Sequence, residues 1–459
     1  MSAYFIDAAL LPQGWARGLR VEVDARGIIE SIATDVAAAG DAERISGCVV
    51  PGMPNLHSHA FQRALAGLTE KGGPAHDSFW SWREQMYVFL ERLTPEDVEA
   101  IATRLYVEML EAGYTTVAEF HYLHHDAGGN AYAQAAEMSQ RLIAAAKTAG
   151  IGLTLLPVFY AHSQFGGEPP TAGQRRFVHD VDGYNRLVSE LHAQLTDEPL
   201  MRLGIAPHSL RAVTPRELAA VIAHFNSLDA RGPIHIHAAE QRKEVEDSLA
   251  WSARRPVEWL LEHAELDARW CLIHATHMGT DEVAALAASG AIAGLCPSTE
   301  ADLGDGFFDA PGFLAAGGSF GIGGDSHVGV DPFLELRWFE YGQRLRSQRR
   351  NILAGETGAS LGEALYRRAA AGGARAVGHS VGALEVGRRA DWIVLNAEDA
   401  ALAEHAPQQI LDAAIFGPVR QAVRDVMVAG QWRVRDGRHA AGESSRAAYR
   451  ASLKRLLQS

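Results

Sequence analysis

An α/β fold, a (β/α)8 barrel of the TIM type joined to a small β-sandwich built from both chain ends, is what three features of this 459-residue sequence predict. Short runs rich in Val, Ile, Leu and Thr alternate with helical patterns, which is the signature of a parallel sheet. Eight such runs can be counted, enough to close a barrel. Both flanks carry instead short strand-like stretches broken by Gly and Asp.

The eight runs are 48–57, 115–122, 151–160, 202–208, 233–237, 270–274, 291–297 and 319–325. Helix starts between them are marked by Thr94-Pro95-Glu-Asp, opening a run to Glu111, and Thr214-Pro215-Arg-Glu, opening a run to Phe225. In both, Thr can cap and Pro suits the first turn. In the flanks, Leu19-Arg-Val-Glu-Val, Trp392-Ile-Val-Leu and Val426-Met-Val-Ala-Gly read as sandwich strands. Neither flank is long enough to close a core alone, so the two are expected to share one domain, 1–47 with 379–459, beside a barrel spanning 48–378.

Composition narrows the function. With 47% hydrophobic and 21% charged residues the chain can bury a large core, and a net charge of -14 argues against nucleic acid or an anionic membrane as partner. Cys48, Cys271 and Cys296 each lie in an apolar run, so buried free thiols are expected rather than disulfides. The first residues, Met-Ser-Ala-Tyr-Phe-Ile-Asp, lack a basic and then apolar leader pattern, and no stretch resembles a membrane span. A cytoplasmic enzyme with a small-molecule substrate is the expectation, and a homodimer is compatible with it.

Chemistry concentrates at the ends of the runs. Pro51-Gly-Met-Pro-Asn-Leu-His57-Ser-His59 closes the first run with two histidines that a strand would turn to one face. His237, His274 and Asp325 end further runs. A hydrolytic Zn²⁺ site wants three or four His and carboxylate ligands with one position left for water, and His57, His59, His237 and Asp325 supply that set. His235 could also ligate, but His237 lies nearer the carboxyl end and is the expected ligand, leaving His235 as a hydrogen-bonded core residue. Glu240, three residues on, is placed to hold and deprotonate a water. His274, read as a neutral imidazole, can polarise the reacting group or orient the hydroxide without ligating. His277 reads as a loop residue. Arg83, on a segment with Trp80 and Trp82 that reads as a lid, and Arg211, after the fourth run, lie near the expected barrel mouth and read equally as surface ion pairs or as forks for carboxylates.

The order Pro-Gly-x-x-Asn-x-His-x-His, His-Ala-Ala-Glu, Ile-His-Ala-Thr-His and Gly-Gly-Asp-Ser-His, ending in Gly-Arg-Arg-Ala-Asp-Trp-Ile-Val-Leu, resembles the amidohydrolase superfamily over nearly the whole chain. Within it, Asn55-Leu-His-Ser-His-Ala-Phe-Gln62-Arg, Asp77-Ser-Phe-Trp-Ser-Trp-Arg83-Glu, Ala118-Glu-Phe-His-Tyr122-Leu-His-His, His208-Ser-Leu-Arg211 and Ser298-Thr-Glu-Ala-Asp-Leu-Gly-Asp-Gly are similar to the branch that deiminates N-formimino-L-glutamate in histidine degradation. Gly324 before Asp325 and Pro297 depart from the pattern without removing a ligand.

The resemblance implies one divalent metal, zinc expected, on His57, His59, His237 and Asp325. It further implies Glu240, His274 and Asp325 as the catalytic groups, and Gln62, Arg83, Tyr122, His208 and Arg211 as substrate contacts. Binuclear members bridge two metals with a carboxylated lysine. Lys71, Lys147, Lys243 and Lys454 are the lysines here and none ends a run, so one metal is expected. A purine or related deaminase, with stacking and amide contacts in place of paired arginines, is the rival reading. A metal-binding scaffold without catalysis is disfavoured because Glu240 and His274 accompany the ligands.

Overall fold

A computed structural model describes residues 1–38, 40–70, 78–355 and 358–458; Asp77 and Lys71 lie outside the described residues. Eight parallel strands form the barrel: Met53–Ser58, Tyr114–His121, Gly152–Phe159, a fourth in two pieces (Met201–Leu203 and Ala206–Pro207), Ile234–Ala238, Trp270–His274, Ile292–Leu295 and Ser319–Ile322. The second and third strands are buried at every position, as expected where helices cover one side of a parallel sheet and the packed interior the other. Thr94 and Thr214 cap helices Pro95–Ala112 and Pro215–Leu228, each accepting from the N–H three residues on.

Strand ladders run from the first to the fourth strand and from the fifth to the eighth, and isolated bridges close the ring. Ile205 pairs with Ile234 and Ser209 with His237 on one side, and Ser58 pairs with Asp325 on the other. The second closure needs close approach. A Cβ on Gly321 would meet the Leu56 side chain at 2.5 Å, and one on Gly323 would meet His57 at 2.8–2.9 Å.

Besides the fourth, now in two pieces, three runs are shorter or differently divided than the sequence suggests. The first splits at Gly52: Glu43–Pro51 joins the terminal sheet, and the barrel strand begins at Met53. The seventh strand stops at Leu295 because Pro297, lacking an N–H, opens helix Pro297–Asp302 instead of continuing a ladder. The eighth stops at Ile322, and two glycines carry the chain to Asp325, whose backbone is left-handed at φ 51°.

Strands from both termini form one continuous sheet: Arg438–His439, Gln431–Arg435, Val423–Val428, Trp392–Leu395, Glu43–Pro51, Ser2–Leu11, Gly14–Val23, Ile29–Ala33, in that order. Tyr4 and Trp432 stand four strands apart, about 19 Å on a flat sheet, yet their ring centroids are 6.4 Å apart. The sheet therefore folds over its own core of Tyr4, Ile6, Leu19, Val21, Trp392 and Met427. The C-terminal flank is not all strand. Helix Pro407–Phe416 packs on barrel helix Leu361–Val377, and helix Gly442–Gln458 packs on Pro95–Ala112, where Arg455 pairs with Asp97. All three cysteines are buried and free. Among the described residues no helix is long and apolar enough to cross a membrane.

Candidate metal-dependent active site

The barrel's carboxyl end gathers the residues singled out in the sequence. Asn55 begins the arrangement: its side-chain oxygen accepts from His57 N and Gly324 N, each at 3.2 Å, and so ties the first strand to the glycines before Asp325. His57, His59 and His237 bring ring nitrogens within 4.8 Å of one another. His57 Nε2 lies 3.2 Å from His237 Nε2 and 3.6 Å from Asp325 Oδ1, and His59 Nε2 lies 3.3 Å from the same oxygen.

These spacings fit a shared cation, since two donors about 2.0–2.1 Å from one Zn²⁺ at the tetrahedral angle stand about 3.4 Å apart. Tautomers fit as well. His59 Nδ1 donates to the Phe120 carbonyl at 2.9 Å and His237 Nδ1 to the His208 carbonyl at 3.1 Å, which leaves both Nε2 lone pairs for a metal. Burial keeps all three rings neutral: it pulls His59 down to about 3, and it lowers His57 and His237 with neighbouring histidines adding to the effect. Burial raises Asp325 to about 7, with His274 opposing and Glu240 and Glu300 adding; a cation at the convergence point acts in the opposite sense. Beneath the pair, Ser58 Oγ donates to Glu119 at 2.6 Å and lies 2.8 Å from His327 Nε2.

Glu240 and His274 face the same point. His274 Nε2 is 3.6 Å from Glu240 Oε1 and 3.7 Å from Asp325 Oδ2. Burial opposes a charge on His274, but Glu240, Glu300 and Asp325 outweigh it and raise the ring to about 10, making it a cation at neutral pH. Left-handed backbone at Ala239, His274, Ala275 and Asp325 shows how sharply the chain turns to aim these groups. His235 is a core residue, its Nε2 donating to the Ala376 carbonyl at 2.9 Å, and His277 is a loop residue donating to the Asp305 carbonyl at 2.8 Å.

A cleft opens over these residues. Helix Phe79–Leu90 covers it with Phe79, Trp82, Arg83, Met86 and Tyr87, one stripe at helical spacing. Gln62, Tyr122, His208 and Arg211 line the same cleft. Gln62 Nε2 donates to Tyr122 Oη at 2.7 Å, while Gln62 Oε1 and the Nε atoms of Arg83 and Arg211 have no hydrogen-bond partner among the described residues. Buried polar atoms normally find partners, so these mark where a polar ligand belongs. Trp80 has the Arg83 guanidinium 4.6 Å and the Arg211 guanidinium 5.9 Å from its ring centre. Burial lowers His208, and the two arginines and His59 add to that, so its ring is neutral.

Further buried carboxylates surround the site, outside the sequence-level candidates. Glu300, in the helix after the seventh strand, accepts from Cys296 N at 2.9 Å and sits 3.2 Å from His274 Nδ1. Glu244, one turn past Glu240, accepts from the backbone N–H groups of Ala239 and Glu240, each at 3.2 Å, and so shapes the turn that presents Glu240. Asp305 is buried behind Glu240 and His274 and accepts from Gln241. Within the sequence, Ser298-Thr-Glu-Ala-Asp-Leu-Gly-Asp-Gly signals Glu300 and Asp305 as part of a motif, and nothing local marks Glu244.

Comparison with known proteins bears on the whole chain. The amidohydrolase family model matches residues 48–433, and the model described as formimidoylglutamate deiminase HutF, N-terminal domain, matches residues 1–46. Formimidoylglutamate deiminase of Pseudomonas aeruginosa is 55% identical over 457 residues, covering 100% of both chains. The 8-oxoguanine deaminase of the same species is 30% identical, covering 92% of this chain and 90% of its own. A crystal structure of an amidohydrolase from Brucella melitensis is 52% identical and superposes with a TM-score of 0.94 over 100% of both chains. Matches that take in the terminal sheet and the barrel alike make this protein a member of the amidohydrolase family.

Proposed function

We propose that the protein is a zinc-dependent deiminase that hydrolyses N-formimino-L-glutamate to N-formyl-L-glutamate and ammonia, a step of histidine degradation. The carrying observation is the pair of guanidiniums, Arg83 and Arg211, with unpartnered Nε atoms in the same cleft as the His and Asp cluster. A substrate with two carboxylates and a formimino carbon needs cationic forks at one end and an activated water at the other. The 55% identity to a formimidoylglutamate deiminase over the full chain supports the same substrate.

His57, His59, His237 and Asp325 would hold one Zn²⁺, which when bound lowers the pKa of a water toward about 7. Arg83 and Arg211 take the two carboxylates, with Gln62, Tyr122 and His208 completing the wall. Glu240 accepts the proton of the water that adds to the formimino carbon and returns a proton to the terminal nitrogen, which leaves as ammonia. Asp325 shares in handling that proton. The His274 cation, held by Glu300 through Nδ1, steadies the charge that develops between them. The helix from Phe79 excludes water from the reacting carbon.

The test is to incubate metal-replete protein with N-formimino-L-glutamate and, separately, guanine, measuring ammonia and identifying the organic product. Ammonia with formylglutamate from the first supports the reading. Ammonia from guanine alone would replace it with a purine deaminase, the activity named in the relative at 30% identity.

A further inference from the structure

Negative charge is in surplus behind the proposed reaction centre. Glu240, Glu300, Asp305 and Asp325 all act on the His274 ring, and of these Glu300 and Asp305 take no part in lining the cleft. Asp305 is only 4% exposed; one oxygen accepts from Gln241, while Oδ2 has no hydrogen-bond partner among the described residues. Donor atoms of Glu240, His274 and Asp305 lie within 4.8 Å of one another, all buried.

We propose that Glu240, His274 and Asp305 form a second divalent-cation position, one that takes zinc in excess of the resident metal and silences the enzyme by occupying Glu240. Three features support it besides proximity. First, the 3.6 Å between Glu240 Oε1 and His274 Nε2 is too long for a hydrogen bond and close to the separation of about 3.4 Å expected for two ligands of one tetrahedral zinc. Second, His274 has the outer-shell support of a metal ligand, with Nδ1 against Glu300 at 3.2 Å and Nε2 turned to the cluster, so that zinc binds there by displacing the Nε2 proton to solvent. Third, one imidazole with two carboxylates is a donor set that suits Zn²⁺ better than Ca²⁺ or Mg²⁺, which prefer all-oxygen shells. Crowding of Asp305 agrees with this: burial first, then Glu240, Glu300 and Asp325, raise it to about 9 against the opposing His274, the mark of carboxylates short of positive charge.

The silencing half rests on the proposed role of Glu240, whereas the binding half does not, so the experiment reads the two separately. Holoenzyme carrying one equivalent of zinc is dialysed against Zn²⁺ from about 1 to 100 μM, bound metal is counted by elemental analysis, and ammonia release from N-formimino-L-glutamate is followed in parallel. A second equivalent should bind while activity falls at least tenfold. In Asp305→Asn, and in Asp305→Ser as a second substitution, the first equivalent and the activity at stoichiometric zinc should persist, while the second equivalent binds at least tenfold more weakly. Binding of one equivalent throughout, or a second equivalent indifferent to both substitutions, overturns the site. A second equivalent that depends on Asp305 but leaves activity intact overturns the silencing, and with it the proton-handling role of Glu240.

Discussion

Glu240 is separable from the proposed metal ligands, because its carboxylate faces His274 while His57, His59 and His237 converge beside Asp325. Glu240→Gln therefore keeps the side chain's volume and should retain one equivalent of zinc while losing about 10²–10⁴ in kcat, the usual worth of a positioned acid/base group. Metal analysis alongside turnover checks it, and normal turnover with full metal would remove the proton-handling role. The arginines act at a different point. Each should lose about 1.5–3 kcal/mol of substrate binding on truncation, as for a hydrogen bond to a charged partner, so Arg83→Ala and Arg211→Ala should each raise KM roughly tenfold to hundredfold. An N-formimino substrate with a single carboxylate should be insensitive to one of the two truncations. If it stays sensitive to both, the one-arginine-per-carboxylate assignment fails.

Elements hold these residues in place through contacts that sequence patterns show unevenly. A strand turns i and i+2 to one face, so His57 and His59 are readable as a couple, and Arg83 with Met86 and Tyr87 follows helical spacing just as directly. Helix Leu361–Val377 is less transparent. Gly372 and Gly373 sit in the middle of an Ala-rich helix, where each costs about 1 kcal/mol relative to Ala on propensity alone. The barrel supplies the reason: a Cβ on Gly372 would overlap the Phe320 carbonyl, and one on Gly373 would stand 3.2 Å from Pro54 O. The helix thus lies directly on the two strands whose ends carry Asp325 and the histidine pair. Two effects oppose one another in Gly372→Ala. The propensity gain of about 1 kcal/mol is outweighed by overpacking against backbone, typically 1–3 kcal/mol and larger where neither side can move, so the variant should be less stable by at least about 1 kcal/mol. Urea unfolding measures it, and a midpoint at or above that of the parent would mean the helix can lift from the strands.

Across the whole molecule, what the sequence reveals and what it conceals divide by distance. Ligands and anchors were legible because each stands at the end of an apolar run or on a helical stripe, a local pattern. Glu244 and Glu335 were not, and Glu300 and Asp305 showed only as members of a motif with no role attached, because a buried carboxylate in a loop or helix looks like a solvated one until the fold surrounds it. The division at Gly52 and the return of the last helix to Pro95–Ala112 likewise depend on contacts hundreds of residues apart. Those hidden carboxylates set how stability responds to pH. Glu335 is fully buried, accepting from Ser298 N at 2.8 Å and Ser298 Oγ at 2.5 Å, and burial, with Glu300 and Asp331 adding, raises it from an ordinary 4.5 to about 8. Between those values the folded chain keeps a proton that the unfolded chain has released, so this group makes stability fall as pH rises through the window and level off above about 8. Glu335→Gln removes the titration while its amide oxygen can still accept from Ser298 N. The variant should match the parent near pH 4.5 and exceed it at pH 9 by a margin on the order of a few kcal/mol. Urea unfolding at intervals across that range tests it; parallel curves for the two proteins would show that Glu335 is ionised in the fold, with its charge compensated by groups other than Ser298.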